Sequence, residues 1–234
     1  FLAIGPIVMM AVWMVVWPML IGDVDSNLID EEKVRARMEL GMENFAVTKI
    51  VATAAVMGMM AMLFGYTFWA RSLQGDEKKL GILGTLAALI MPVVAAAILL
   101  TTDFNFAAGY AMSDGDTTVA LTTALVGDAI YFGSTSIWAF LVLGVGLIGL
   151  ASAVQSVNKV SKIIGGILAI IAALMFVFNL SSYEPEMLFM LWLLVTVISG
   201  INLIRLRIWY QRCHHYLLDW WQVNLPLKSS GTPS

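Results

Sequence analysis

The chain has 234 residues, of which 60% are hydrophobic and 12% charged, and its 13 Lys and Arg against 16 Asp and Glu give a net charge of −3. An ordinary soluble domain is about a quarter charged and needs polar side chains over its whole exterior, so this composition excludes a water-soluble globule. It favours a single membrane domain, residues 1–224, followed by a flexible tail rich in Ser, Gly and Pro at 225–234.

Six apolar stretches are near the length that crosses about 30 Å of hydrocarbon at 1.5 Å per residue. None alternates apolar and polar residues at every second position, as the strands of a membrane barrel would. We therefore predict an all-α polytopic bundle, with candidate kinks at Pro6, Pro18 and Pro92. The predicted spans are 2–21, 48–70, 80–101, 132–154, 163–180 and 187–204.

The loop after the first span has a helical pattern of its own. Val34, Met38, Met42 and Phe45 recur at near-helical spacing. Acidic residues beginning at Asp30 stand in what would be the first turn, where the helix dipole favours negative charge. We predict an amphipathic helix at the outer interface that runs into the second span. A solvated connector is the alternative interpretation.

The long segment after the third span begins with turn-like residues and then becomes rich in Thr and Ala. Asp116 is placed to cap a helix that starts there and continues into the fourth span. A seventh span is the competing interpretation. It is disfavoured because only about a dozen apolar or neutral residues precede Asp128, too few to cross a bilayer.

The distribution of Lys and Arg predicts the orientation, because positive charge is retained on the cytoplasmic side. The loops after the third and fifth spans contain acids and no Lys or Arg, whereas the first loop is mixed. Both termini should then be cytoplasmic, in a multi-pass protein of the plasma (inner) membrane. The basic residues after the second, fourth and sixth spans are Arg71, Lys78, Lys79, Lys159, Lys162, Arg205, Arg207, Arg212 and Lys228.

Arginine and tryptophan follow the sixth span, a combination typical of the headgroup region of a membrane. We predict a second interfacial helix here, on the cytoplasmic face. Its expected anchors are Arg205, Arg207, Trp209, Trp220 and Trp221.

The letters Gly144-x-Gly146-x-x-Gly149 match a dinucleotide-binding fingerprint. They lie inside an apolar span, with no strand before them and no acidic partner about 20 residues later, so the nucleotide interpretation is disfavoured. Small residues let helix backbones approach closely in lipid. We predict that these glycines, with Gly165 and Gly166, pack neighbouring helices.

The sequence predicts no cofactor or metal site, although bound lipid is expected. The two histidines, His214 and His215, are adjacent and outside the spans, so they could not hold haem between helices. A retinal Schiff base needs a lysine in the middle of a span, and Lys49 is at an edge. Cys213 stands alone. The 15 methionines could bind a soft metal, but adaptable packing is the favoured interpretation.

Carboxylates on the predicted outer face are candidates for an acidic mouth that would concentrate cations. The candidate residues are Asp103, Asp128, Glu184 and Glu186.

A glycine-rich span at 133–151 is followed by the short basic turn QSVNK at 155–159 and by a second glycine-rich start, IIGGI, at 163–167. With the order of spans over about 2–178, this pattern resembles bacterial DUF4386-type polytopic membrane proteins. The resemblance implies a helical membrane domain. It implies no activity and no catalytic or binding residue.

Three classes of function stay open at this point. The favoured one is a non-catalytic accessory or structural subunit of a membrane complex, whose partners are membrane lipids and other membrane proteins or copies of itself, without nucleic acid. The second is a transporter, channel or receptor for a small solute. The third is an enzyme at the membrane interface, for which outer carboxylates or the group His214, His215 and Asp219 are the candidates, at no diagnostic spacing.

Overall fold

The structure is a computed structural model that describes residues 1–22, 30–75, 80–133, 135–180 and 186–224. Every regular element in these ranges is helical, which confirms the predicted all-α class. The elements are α1 (Ile4–Ala11), a π-helical segment (Val12–Val16), α2 (Trp17–Leu20), α3 (Asp30–Glu43), α4 (Phe45–Ser72), α5 (Gly81–Ser113), α6 (Thr117–Gly133), α7 (Thr135–Gln155), α8 (Lys159–Leu180) and α9 (Glu186–Asn224).

Five of the described helices are long and apolar enough to cross a membrane. The first apolar segment, Ile4–Leu20, has 17 residues and lies at the lower end of the spanning range of about 17–25. The chain is an integral membrane protein. The five helical stretches are Phe45–Ser72, Gly81–Ser113, Ile137–Gln155, Lys159–Phe178 and Met187–Arg207.

The predicted kink at Pro18 takes the form of a π-helical segment. Proline has no backbone N–H, and its ring clashes with the carbonyl four residues earlier, here that of Met14. The backbone widens, and the Trp17 N–H donates to the Val12 carbonyl, five residues away. By contrast, α5 continues through Pro92 without a break.

The first-loop helix is confirmed as α3, but two of its expected features are different. Asn44 has φ −140° and ψ 66°, outside the helical region, so α3 and α4 are separate helices. The apolar face of α3 also packs against other helices of the bundle, because Val34 is buried against Ala108 of α5 and Ala124 of α6. The helix therefore covers one end of the bundle.

The helix predicted to start after Asp116 is also present. The Asp116 Oδ1 accepts a hydrogen bond of 3.1 Å from the Val119 N–H, which caps α6. The structure describes helix on both sides of Ser134, in α6 up to Gly133 and in α7 from Thr135; Ser134 itself lies outside the described residues, so a single continuous helix stays a prediction. Together they run back along α5.

The interfacial helix expected after the sixth span is not a separate element. The 39 residues of α9 form one helix, about 58 Å long, because no proline or glycine interrupts it between Gly200 and its end at Asn224. Arg205 and Arg207 are exposed on it. The side chains of the other predicted anchors, Trp209, Trp220 and Trp221, lie outside the described part.

The predicted packing glycines have different neighbours. Gly149 of α7 and Gly165 of α8 face each other, since a Cβ at either position would lie 2.8 Å from the carbonyl oxygen of the other. Gly144 instead faces α5, where a Cβ would meet the end of the Met91 side chain. A Cβ at Gly146 would lie 3.3 Å from the Ala172 Cβ of α8, a tight contact. Gly166 has no close neighbour in the described chain, because a Cβ there would meet nothing within 4 Å.

The first segment runs antiparallel to α4 along a second line of small residues. A Cβ at Gly65 would lie 2.6 Å from the Leu2 side chain, and one at Gly5 would lie 2.5 Å from the Gly58 carbonyl oxygen. A Cβ at Gly200 of α9 would likewise lie 2.5 Å from the Ala3 nitrogen. The start of the chain therefore lies at the end of the bundle where α4 ends, opposite to α3.

Candidate ligand-binding cavity

A cavity of about 570 Å³ lies inside the bundle at the end covered by α3, and we call it the main cavity. It is enclosed by the first segment, α3, α4, α5 and α9, with single contributions from α6 and α7. Protein interiors are close-packed, with few voids larger than a water molecule. The main cavity is much larger than such voids, and its volume is within the range of about 300–1,000 Å³ that ligand sites occupy.

One face of α4 forms the long wall of the main cavity. Phe45, Lys49, Ala52, Val56 and Met59 all line it, and their spacing of three or four residues puts them on one side of the helix. From the first to the last, the wall rises about 21 Å at 1.5 Å per residue. The cavity therefore reaches well into the hydrocarbon depth of about 30 Å.

The lining is apolar and adaptable. Methionine has a flexible, polarizable side chain that fits irregular partners, and aromatic rings supply rigid apolar area. Trp13 and Met14 line the cavity although 52% and 57% of their surfaces are exposed, so the cavity reaches the lipid-facing side of the first segment. The methionines and aromatic residues of the lining are Met9, Met10, Trp13, Met14, Trp17, Met38, Met42, Phe45, Met59, Phe106, Trp138, Phe189 and Met190.

The charged side chains of the described lining, Arg37 and Lys49, lie at the end near α3. The Lys49 Nζ donates a hydrogen bond of 3.2 Å to the Tyr110 Oη and lies 5.3 Å and 5.8 Å from the ring centroids of Tyr110 and Phe45. The Thr48 hydroxyl donates to the Gly41 carbonyl at 2.8 Å, which ties α4 to α3. Arg37 also lines the cavity, and no acidic residue is among the described lining residues. The two charged side chains of the described lining are therefore both positive.

A second space of about 280 Å³, the polar cavity, lies at the opposite end of the bundle. The Asn202 Nδ2 donates a hydrogen bond of 2.8 Å to the Ser161 Oγ across α9 and α8. The hydroxyls of Ser152, on α7, and Ser156, just after it, lie 3.2 Å apart in the lining. These groups are neutral and form two hydrogen-bonded pairs, so they point to no particular ligand.

Between the two cavities, α4 and α9 are joined by buried hydrogen bonds. The Trp192 Nε1 donates to the Tyr66 Oη at 3.0 Å, and the Tyr66 and Thr196 hydroxyl oxygens lie 2.6 Å apart. Because the Thr196 hydroxyl donates its hydrogen to the Trp192 carbonyl, the Tyr66 hydroxyl must donate to Thr196. All polar atoms of this network are therefore paired in the apolar core.

No protein-family model, curated protein or solved structure matches the chain. Its interpretation therefore depends on its own geometry, and the resemblance to DUF4386-type proteins stays a prediction.

The predicted acidic mouth is not part of the main cavity as far as the structure describes it. Asp103 is exposed on α5 and does not line the cavity. The backbones of Asp128 and Glu186 lie in α6 and at the start of α9, but their side chains, like the whole of Glu184, lie outside the described part. The mouth therefore stays a prediction.

Sequence reasoning missed the main cavity and the role of Lys49 in it. The sequence did contain two features of this cavity: methionine clusters in the first two spans and a lysine at a span edge. In the described ranges, no group of three or more His, Cys, Asp or Glu is placed to hold a metal ion. The arrangement is suited to non-covalent binding of an apolar molecule.

Proposed function

We propose that this protein is a non-catalytic membrane protein that binds a lipid-like, largely apolar molecule in the main cavity, as a receptor or carrier does. The observation that carries this proposal is the 570 Å³ mainly apolar space within the bundle, which reaches the exposed side of the first segment at Trp13 and Met14. An apolar cavity of this kind gives water few hydrogen-bond partners, whereas an apolar ligand fills it favourably.

Filling the cavity should prevent binding. Ala52 lines the α4 wall, so Ala52→Phe places a benzyl group inside the cavity, whereas Ala46 on the same helix is exposed and does not line it. With the protein in neutral phosphatidylcholine nanodiscs, a brominated probe, 12-bromododecanol, should quench tryptophan fluorescence in a saturable way, since three tryptophans line the cavity. We expect Ala52→Phe to weaken this binding by about tenfold, the equivalent of about 1.4 kcal/mol.

Ala46→Phe is the matched control and should bind the probe as the unaltered protein does. Bulk partition of the probe into the bilayer adds a component that does not saturate and is the same in all variants. If saturable quenching is equal in the two variants, or absent from the unaltered protein, the main cavity is not a binding site.

The accessory-subunit hypothesis stays a prediction. Exposed apolar side chains cover the spans, for example Leu89 and Val93 on α5. Such a surface suits lipid and a partner helix equally well. A lipid-binding protein could still act within a complex, so the two hypotheses are compatible.

We also propose that the polar-cavity end faces the cytoplasm, in the plasma (inner) membrane, with the α3 end outside. The proposal is supported by the basic residues Arg71, Lys159 and Arg205, which stand at the ends of α4, α8 and the spanning part of α9.

Single cysteines test this orientation after Cys213 is replaced. Ser113, at the end of α5, should label with an impermeant maleimide in intact cells, whereas Ser156, after α7, should label only in permeabilised cells. The same substitution at Ser230, in the tail outside the described residues, should behave as Ser156 does. Labelling of Ser113 and Ser156 from the same side would contradict the proposed topology.

A further inference from the structure

We infer that the ligand of the main cavity is an amphipathic anion, with its apolar chain along the α4 wall and its acidic headgroup, a phosphate or a carboxylate, at Lys49. This inference rests on the proposed function and specifies its ligand class. Three observations support it: the position of Lys49, its surroundings and the sign of the charge around it.

The position of Lys49 puts its charge where a headgroup would lie. It is in the second turn of α4, at the α3 end of the wall, while the apolar positions Ala52, Val56 and Met59 continue from it into the membrane. A ligand that lay along this wall would therefore have its polar end beside Lys49 and its chain among the methionines. Anionic lipids have this division between one charged end and an apolar chain.

The surroundings hold the ammonium in place without neutralising it. Phe45 and Tyr110 meet edge to face, with centroids 5.6 Å apart, and both rings lie near the Lys49 Nζ. The Phe45 ring fits here because Gly109 has no side chain; a Cβ at Gly109 would lie 2.7 Å from a ring carbon. Aromatic faces attract a cation without cancelling its charge. The Tyr110 hydroxyl occupies one of the three donors of the ammonium, which leaves donors for a ligand.

The sign of the charge selects an anion. Within the described ranges, Lys49 has no carboxylate at ion-pair distance, and its recorded contacts are the Tyr110 hydroxyl and the two aromatic rings. The Lys49 ammonium would repel a cationic headgroup at this end of the cavity and would gain no ion pair from a neutral one. An anionic headgroup forms a charge-assisted hydrogen bond there.

Two brominated probes of equal chain length test the headgroup. The protein is placed in phosphatidylcholine nanodiscs, and tryptophan quenching is measured with 12-bromododecyl phosphate and with 12-bromododecanol. We expect the phosphate to bind more tightly to the unaltered protein. Lys49→Gln should weaken phosphate binding by about tenfold, because a hydrogen bond to a charged group is lost, while binding of the alcohol should change less than about twofold. Lys49→Arg should keep most of the preference.

Lys162→Gln is the matched control, because Lys162 is exposed on α8, away from the main cavity. It should leave both affinities unchanged. Retained alcohol binding also shows that Lys49→Gln is folded. Unchanged phosphate affinity in Lys49→Gln would overturn the headgroup site and leave the apolar cavity standing, whereas absence of saturable quenching by either probe would overturn the proposed function itself. Inorganic phosphate that competes at the concentration of the alkyl phosphate would show a soluble anion as the ligand and overturn the amphipathic class.

Discussion

Gly165→Leu is expected to cost the protein about 3 kcal/mol of folding free energy, the upper part of the usual range for overpacking. A Cβ at Gly165 would lie 2.7 Å from the Ala153 nitrogen and 2.8 Å from the Gly149 carbonyl oxygen. Both are backbone atoms of α7, so no side-chain rotation can relieve the contact. The leucine must push α7 and α8 apart, and their tight packing would be lost.

The adjacent position supplies the control. Gly166 is on the same helix and has the same local sequence, but a Cβ there would meet nothing within 4 Å. Gly166→Leu should therefore change stability by less than about 0.5 kcal/mol, as surface substitutions usually do. Both variants are compared by SDS denaturation in mixed micelles. Equal losses of stability would mean that α7 and α8 do not pack through Gly149 and Gly165.

The glycines of α7 and α8 also show how much of the fold could be predicted from the sequence. The apolar runs were long enough to identify the spanning helices, and the acidic first turn and Asp116 identified the starts of α3 and α6. The small residues showed that helices pack closely somewhere in this part of the chain. They could not show which glycine faces which helix, because Gly144, Gly149 and Gly166 have the same local composition and different neighbours.

The main cavity was beyond sequence reasoning for a related physical reason. One wall of the cavity is an apolar face of α4. The sequence of such a face is the same whether a neighbouring helix or an empty space lies beside it. Only the distances between α3, α4, α5 and α9 distinguish the two cases. The position of Lys49 was equally hidden from sequence reasoning. At a span edge it resembles an ordinary interfacial lysine, and only the structure shows that Tyr110, 61 positions away, lies beside it.

Tyr66→Ala should be about as damaging as the glycine substitution, with an expected loss of about 3–5 kcal/mol, the usual cost of truncating a buried aromatic side chain. Tyr66 is fully buried in the core and holds α4 to α9 through Trp192 and Thr196. Its removal leaves a cavity and an unpaired indole N–H. Tyr66→Phe keeps the ring and removes only the hydroxyl, so it should cost about 1–2 kcal/mol, since buried donors that lose their partner cost about 1–3 kcal/mol and hydrogen bonds within membranes lie at the low end.

Tyr110→Phe is the matched control, because it removes a tyrosine hydroxyl from an exposed residue and should change stability by less than about 0.5 kcal/mol. A double-mutant cycle with Thr196→Val separates the hydrogen bond from other effects, and we expect a coupling of about 0.5–1.5 kcal/mol between the two sites, measured by SDS denaturation. Zero coupling would contradict the Tyr66–Thr196 hydrogen bond. Because this network lies between the main cavity and the polar cavity, coupling would also show that α4 and α9 are joined between the two spaces.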